Sequence, residues 1–388
     1  MYIKNLHLKN FRNYTDETID FTPGINVIFG RNAQGKTNCA EAVYYLCTGT
    51  SPRTRRDRQM IQQGAQYAEI SVQAQARYGS VDLWARITDT GRELRVNGNK
   101  ITRNADILGN LYSVFFSPHE LRLIQDGPDE RRRFLNVSIS QLYRPYYIAL
   151  TRYNKILEQR NNLLKNKNLD DVYAMLPVWD EQLCQYAAII ISKRKEYLEM
   201  LGPHAKDAHA FLTDGQEDLK VFPEHKYTGN SEGEISKKLF NALSQTYDRD
   251  IRLGFTGLGP HRDDIGIEIN GKDAKTYASQ GQTRTAALAI KLAEVEIFTE
   301  ISGESPVLVL DDVMSELDLP RRKMLVRKTD NLQCLITCTH AERALYGKET
   351  SKIRIENGSV VRKGTPQPKG QQQKEQPQQE QQEQQEQQ

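Results

Sequence analysis

The chain has 388 residues, enough for roughly two or three domains and a sizeable core. Lys and Arg number 53 against 50 Asp and Glu, a formal net charge of +3, so bulk composition does not mark a nucleic-acid binder and local clusters must carry any such case. Five cysteines, an odd number with no C-x-x-C pair, argue against a disulfide framework or zinc ribbon; with no signal-like start and no apolar run near the roughly 18 residues of a membrane span, the expected setting is cytoplasmic, reducing and free of membrane contact.

Residues 2–9 alternate apolar and polar, the pattern of a half-buried strand; Phe11-Arg12-Asn13-Tyr14 reads as a turn and residues 18–21 as a second strand. Thr22-Pro23-Gly24 then turns the chain into an apolar, β-branched run over residues 25–29 that ends at Gly30. Gly30-Arg31-Asn32-Ala33-Gln34-Gly35-Lys36-Thr37 has the spacing G-x-x-x-x-G-K-[ST] of a P-loop. The chemistry explains the residue types: the two glycines let backbone N–H groups curl onto phosphate oxygens, Lys36 brings a charge to the β- and γ-phosphates, and the Thr37 hydroxyl suits Mg²⁺. A helix starting here, with Cys39, Ala40, Ala42, Val43, Leu46 and Cys47 along it, aims its positive end at the same phosphates.

Arg53, Arg55, Arg56 and Arg58 fall within six residues; the cluster is either a solvated loop or a contact to a phosphate backbone. Strand-like runs follow at residues 68–72, 81–87 and 93–96, with Asn97-Gly98 as a hairpin turn, and residues 111–116 form a buried strand stopped by Ser117-Pro118. Residues 1–118 therefore read as a β-rich lobe around one P-loop helix. From 119 to 250 long polar stretches with helical periodicity, 131–164, 178–201 and 234–248, predict an inserted arm of antiparallel helices, with Pro145, Pro177 and Gly202-Pro203 as breaks. Arg131-Arg132-Arg133 near its start reads as a DNA contact, a nucleotide-sensing site or an exposed helix turn.

Strands return in residues 251–363: a run over 265–269 that turns at Asn270-Gly271, a helix from about 281 to 300, and a buried strand over 307–310 that ends in Asp311 and Asp312. Another buried strand, 334–338, leads to Thr339-His340, and an edge hairpin turns at Asn357-Gly358. Residues 364–388 are Gln, Glu, Pro and Lys with almost nothing apolar, the composition of a disordered tail.

A P-loop needs a carboxylate for its Mg²⁺, and Asp311 at a strand's carboxyl end is the candidate; Asp312 beside it is placed to act as general base. Ser279-Gln280-Gly281-Gln282 opens a helix, where an N-cap Ser and free N–H groups make a second anion site. Four residues alone are weak evidence, but their place about 30 residues before the Asp pair resembles the ABC-type ATPases, whose signature motif lies there. On that resemblance Ser279, Gly281 and Gln282 are signature residues, Ser315-Glu316-Leu317-Asp318 follows the Walker B strand, and His340 is the switch histidine. ABC-type ATPases mostly carry Glu where Asp312 stands, which implies slow hydrolysis.

Asn10-Phe11-Arg12-Asn13-Tyr14, the P-loop, Arg131-Arg132-Arg133-Phe134-Leu135, Gly259-Pro260-His261-Arg262-Asp263-Asp264 and Ser279-Gln280-Gly281-Gln282-Thr283-Arg284 together resemble the RecF family of bacterial recombination mediators, related to SMC-type ATPases. The resemblance covers residues 1 to about 362. It implies an α/β fold: an ABC-type P-loop ATPase head with a β-rich N-terminal lobe and an inserted helical arm. It also implies ATP and Mg as cofactors, Arg12 among the nucleotide-binding residues, an ATP-driven homodimer on single-stranded, gapped or junction DNA, weak ATP hydrolysis, and RecO and RecR as partners in gap repair, replication and the SOS response. The alternatives are an ABC-type ATPase subunit of another assembly, against which the length of the insertion stands, or an SMC-like structural ATPase, which needs a long heptad arm.

Overall fold

The computed structural model describes residues 1–224, 227–329, 331–341 and 350–362; the Gln-rich tail expected at 364–388 lies outside them. The chain opens with the hairpin β1 (Tyr2–Phe11) and β2 (Tyr14–Asp20), then runs through β3 (Ile25–Phe29) into α1 (Lys36–Thr48). Strands β4 (Tyr67–Ala76), β5 (Gly79–Thr88), β6 (Gly91–Val96) and β7 (Asn99–Ile101) complete an antiparallel sheet of order β2-β1-β4-β5-β6-β7. This is the expected β-rich lobe, in which the alternating sequence of β1 turns Ile3, Leu6 and Leu8 inward.

The second sheet decides the architecture. β8 (Ser113–Phe116), β12 (Val307–Asp311), β13 (Cys334–Cys338) and β14 (Thr350–Glu356) join β3 in the order β15-β14-β3-β13-β12-β8, with β15 (Ser359–Val360) closing the edge hairpin. The pairs β8–β12, β12–β13, β13–β3 and β3–β14 are all parallel. Strands from the two ends of the sequence thus build one sheet, and both of its faces are covered. Val307 and Val309 point into the core shared with the lobe, while Leu308 and Leu310 point into the core shared with the helical arm. Burial on both faces is why these strands read as continuous apolar runs rather than alternations. α1 is buried along nearly its whole length between the two sheets, so it is apolar nearly all round.

The insertion consists of α2 (Arg122–Gln125), α3 (Pro128–Leu142), α4 (Arg144–Leu163), α5 (Leu169–Leu212), β9 (Leu219–Glu224), α6 (Glu232–Ser244) and α7 (Tyr247–Leu253). Pro145 does mark a helix start, in the first turn of α4. Pro177 and Gly202-Pro203 do not break the chain: both prolines lie inside the 44-residue α5. A proline inside a helix costs about 3 kcal/mol. The buried stripe Val172, Leu176, Leu183, Ala187, Ile190, Tyr197, Leu198, Leu201, Ala205 and Leu212 runs past both positions, and its packing offsets that cost.

The boundary expected at residue 250 also moves. It falls inside α7, and β10 (Asp264–Ile269) pairs along its full length with β9, with β11 (Lys272–Asp273) on its other edge. The arm's small sheet therefore takes in residues beyond 250, a long-range pairing that local composition does not reveal. After α8 (Ala274–Tyr277) the chain enters α9 (Gln280–Ser302), which packs on α5; α10 (Leu319–Lys328) follows β12.

Candidate nucleotide-binding site

The P-loop bridges β3 and α1 and is braced from both ends of the chain. Gly30 has φ +154°, and a Cβ there would stand 2.3 Å from the Ile355 carbonyl oxygen on β14. Gly35 has φ +117°, and a Cβ would fall 2.8 Å from the Asn13 side chain. Both positions require glycine. The Gln34 carbonyl accepts from Asn13 Nδ2 at 2.8 Å and from the Gly358 N–H at 3.0 Å, and Gln34 Oε1 accepts from the Asn357 N–H at 2.6 Å. Arg31, Asn32 and Ala33 are left exposed at the crest. Lys36 is buried and its Nζ donates to the carbonyls of Gly30 and Arg31, at 2.9 and 2.8 Å, which points the ammonium across the loop. Burial lowers its pKa, opposed by the nearby Asp312 and Asp311 carboxylates.

Phe29, Cys338 and Asp311 end three adjacent parallel strands, β3, β13 and β12, so the P-loop, His340 and the Asp pair share one edge of the sheet. This is the edge at which open α/β sheets hold ligands. Thr37 Oγ1 donates to Asp311 Oδ1 at 3.0 Å, and Thr337 Oγ1 donates to the same oxygen at 2.6 Å. Burial raises the Asp311 pKa, and the Thr337 and Thr37 hydrogen bonds work against that rise. A hydroxyl and a carboxylate side by side are the hard oxygens that suit Mg²⁺, so the residues present fit that ion. Asp312 adopts the left-handed conformation, φ +55°, and is exposed, with its carbonyl accepting from Ser315 Oγ at 2.7 Å. His340 is exposed just beyond β13.

Ser279 caps α9 in a capping box: its Oγ accepts the Gln282 N–H at 3.2 Å, and Gln282 Oε1 accepts the Ser279 N–H at 2.9 Å. The Gln280 and Gly281 N–H groups, in the first turn, have no intrahelical acceptor. Among the described residues no hydrogen bond or ion pair joins residues 279–282 to residues 30–37.

Several of the residues singled out in the sequence have protein partners. Arg12 donates through Nε and Nη2 to the fully buried Glu41 of α1, at 2.9 and 2.6 Å, and through Nη1 to the Gln59 carbonyl at 2.7 Å. In this arrangement it braces the P-loop helix. Glu41 also accepts from Ser51 Oγ at 2.6 Å and Arg53 Nη1 at 3.3 Å, so one carboxylate ties the first turn, the P-loop helix and the arginine loop together. Sequence reading missed it, although a lone acid in an apolar helix was the available signal.

Arg131 is a buried strut rather than an exposed turn or a DNA contact: it pairs with both oxygens of Asp264, at 2.6 and 2.7 Å. Arg132 donates to the Asp263 carbonyl at 2.7 Å and Arg133 to the Pro52 carbonyl at 3.1 Å. His261 of the same motif meets Tyr153 Oη at 2.5 Å and the Thr256 carbonyl at 3.0 Å. Arg55, Arg56 and Arg58 are exposed and form no ion pair among the described residues. All three line an open cavity of about 720 Å³, and Arg55, Arg133 and Val137 also line an adjoining one of about 580 Å³ that reaches Tyr153 and His261 of the arm.

Residues 2–361 match the family described as the RecF/RecN/SMC N terminal domain. Among curated relatives, the DNA replication and repair protein RecF of Clostridium acetobutylicum is 40% identical over 366 residues, 93% of this chain and 99% of that protein. The protein of the same name from Clostridium perfringens is 40% identical over 365 residues, again 93% and 99%. A solved structure of the recombination mediator protein RecF-ATP in the RecFOR pathway superposes with a TM-score of 0.84 at 35% identity, covering 93% of this chain and 97% of that one. A Smc head domain from Pyrococcus furiosus, at 17% identity and a TM-score of 0.55 over 93% and 96% of the two chains, shares the fold. With relatives matched over nine-tenths of its length and its motifs set on an ABC-type head, the chain belongs to the RecF family of DNA replication and repair proteins, kin to the SMC ATPases.

Proposed function

We propose that this chain is an ATP-gated DNA clamp of the cytoplasm, acting at single-stranded, gapped or junction DNA in recombinational repair, replication and the SOS response, with RecO and RecR as partners. The head, formed by residues 1–118 together with the chain from α9 onward, binds ATP; the arm is the insertion with its small sheet of β9, β10 and β11. Lys36 and the N–H groups of residues 30–37 bind the phosphates, and Thr37 and Asp311 would hold Mg²⁺, which neutralises charge across the β- and γ-phosphates. Asp312 takes the proton of the attacking water and His340 orients the γ-phosphate, in a slow hydrolysis that serves as a switch. Arg12 supports the site through Glu41.

One observation carries the dimeric reading. The hydrolytic residues gather at one sheet edge, while among the described residues no hydrogen bond or ion pair joins Ser279 or the first turn of α9 to their own P-loop. Ser279 accepts from Gln282 but its hydroxyl proton remains available, so the turn is an anion site for a second copy's nucleotide. ATP then closes a symmetric dimer with two nucleotides at the seam, and hydrolysis opens it.

Mixing two inactive variants tests this. Ser279→Arg binds ATP but does not dimerise, and Lys36→Met does not bind ATP. Together they form one intact composite site, from the Lys36 of the first and the Ser279 of the second, and ATPase activity partly returns. Wild-type hydrolysis by Ser279→Arg alone, with nothing gained on mixing, sinks the trans reading.

A further inference from the structure

Gln282 is held on two sides. Its carbonyl closes the capping box on the Ser279 N–H, and its amide donates to Glu217 Oε1 at 2.9 Å. Glu217 belongs to the link between α5 and β9, so it reaches the signature turn from the arm. Its other oxygen meets His209 Nε2 at 3.0 Å, in the last turn of α5. His209 is fully buried, Glu217 is 20% exposed, and burial lowers the His209 pKa.

The chemistry of these groups sets an orientation. A glutamine amide can be turned either way, presenting oxygen or nitrogen. A carboxylate only accepts, so Glu217 requires the amide NH₂ to face it. The amide oxygen is then directed at the Ser279 N–H, and the capping box follows. Without Glu217 the amide is free to flip, and a flipped amide presents a donor to a donor. His209 holds the far oxygen of Glu217 in place from within the core.

We propose that Glu217, backed by His209, is a positioning residue for the signature turn: it locks the Gln282 amide and so holds Ser279 and the α9 first-turn N–H groups in the orientation that receives the partner copy's nucleotide. The arm thereby sets one wall of the composite site. The inference rests on the trans reading above, and a double-mutant cycle separates the two.

In the full chain, ATP-dependent dimerisation is followed by light scattering, with binding of a fluorescent ATP analogue to the monomer as the control for an intact P-loop. Gln282→Ala and Glu217→Ala each weaken dimerisation about ten- to a hundredfold, the range for a hydrogen bond to a charged group, with analogue binding unchanged. The double variant is no worse than either single one within about twofold, because both remove the same lock. Glu217→Gln, which can still present a carbonyl to the amide, dimerises close to wild type. Losses that add, wild-type dimerisation by Glu217→Ala, or a Glu217→Gln variant as poor as Glu217→Ala overturn the positioning role. If Gln282→Ala itself dimerises as wild type, the signature reading falls and this inference with it. Should Glu217→Ala fail to bind the analogue, His209→Leu takes its place: it removes the support without leaving a buried donor, weakens dimerisation, and if it does not, the proposal is wrong.

Discussion

Asp311 and Asp312 are neighbours with opposite surroundings. Asp311 ends β12 pointing inward, where it accepts from Thr37 and Thr337. At Asp312 the backbone enters the left-handed region, φ +55°, and the next carboxylate stands in solvent at the mouth of the site. Asp and Asn are the non-glycine residues best suited to that conformation. Asp312→Asn therefore keeps the turn and removes only the base. We expect single-turnover hydrolysis to fall by about 10²- to 10⁴-fold, with ATP still bound and the dimer long-lived by light scattering. Hydrolysis near the wild-type rate would exclude Asp312 as the base. The motif spacing exposes this pair directly, because a P-loop demands a carboxylate at a strand end. It does not expose Glu41, whose three partners come from segments that meet only in the folded chain.

Among the elements, α5 is the one whose sequence misleads. Proline is a local signal of interruption, whereas the packing that keeps α5 continuous comes from α4, α6, α9 and β9. Its hold on the arm is also ionic. Arg160 of α4 is fully buried and donates to Asp180 of α5 at 2.5 Å and to Asp250 of α7 at 2.8 Å, with Thr256 at 2.8 Å. Such a triad is weak evidence for stability, yet removing one member leaves the others charged and unpaired. Arg160→Met should destabilise the protein by about 3–5 kcal/mol, read as a lower urea midpoint. Replacing all three by apolar residues should recover most of that loss. An unchanged midpoint for the single variant would show the triad to be hydrated.

At the scale of the whole molecule, the arginine loop and the arm face a common groove. Arg133 of α3 supports the loop from below through the Pro52 carbonyl, and Arg55, Arg56 and Arg58 have no acidic partner among the described residues. If the groove tracks a phosphate backbone, replacing Arg53, Arg55, Arg56 and Arg58 by Ala weakens DNA binding about equally across sequences. It also flattens the plot of log affinity against log salt by about one unit for each phosphate that is no longer neutralised. Filter binding at several salt concentrations measures both. Unaltered affinity and slope would make the cluster a solvated loop and move the DNA-binding surface elsewhere on the arm.

The sequence by itself made the P-loop, the Asp pair and the split head legible, because their chemistry depends on spacing along the chain; residues 279–282 stood out only through their place before the Asp pair and the resemblance to ABC-type ATPases. It also determined the lobe and the buried strands, through alternation in one and continuous apolar runs in the other. Only the tertiary structure decided that Arg131 is an internal strut, that α5 runs through two prolines, that the arm extends past residue 250, and that Glu217 reaches the signature turn. Each of these depends on partners far apart in sequence, and a carboxylate or a proline carries no mark of which distant element will meet it.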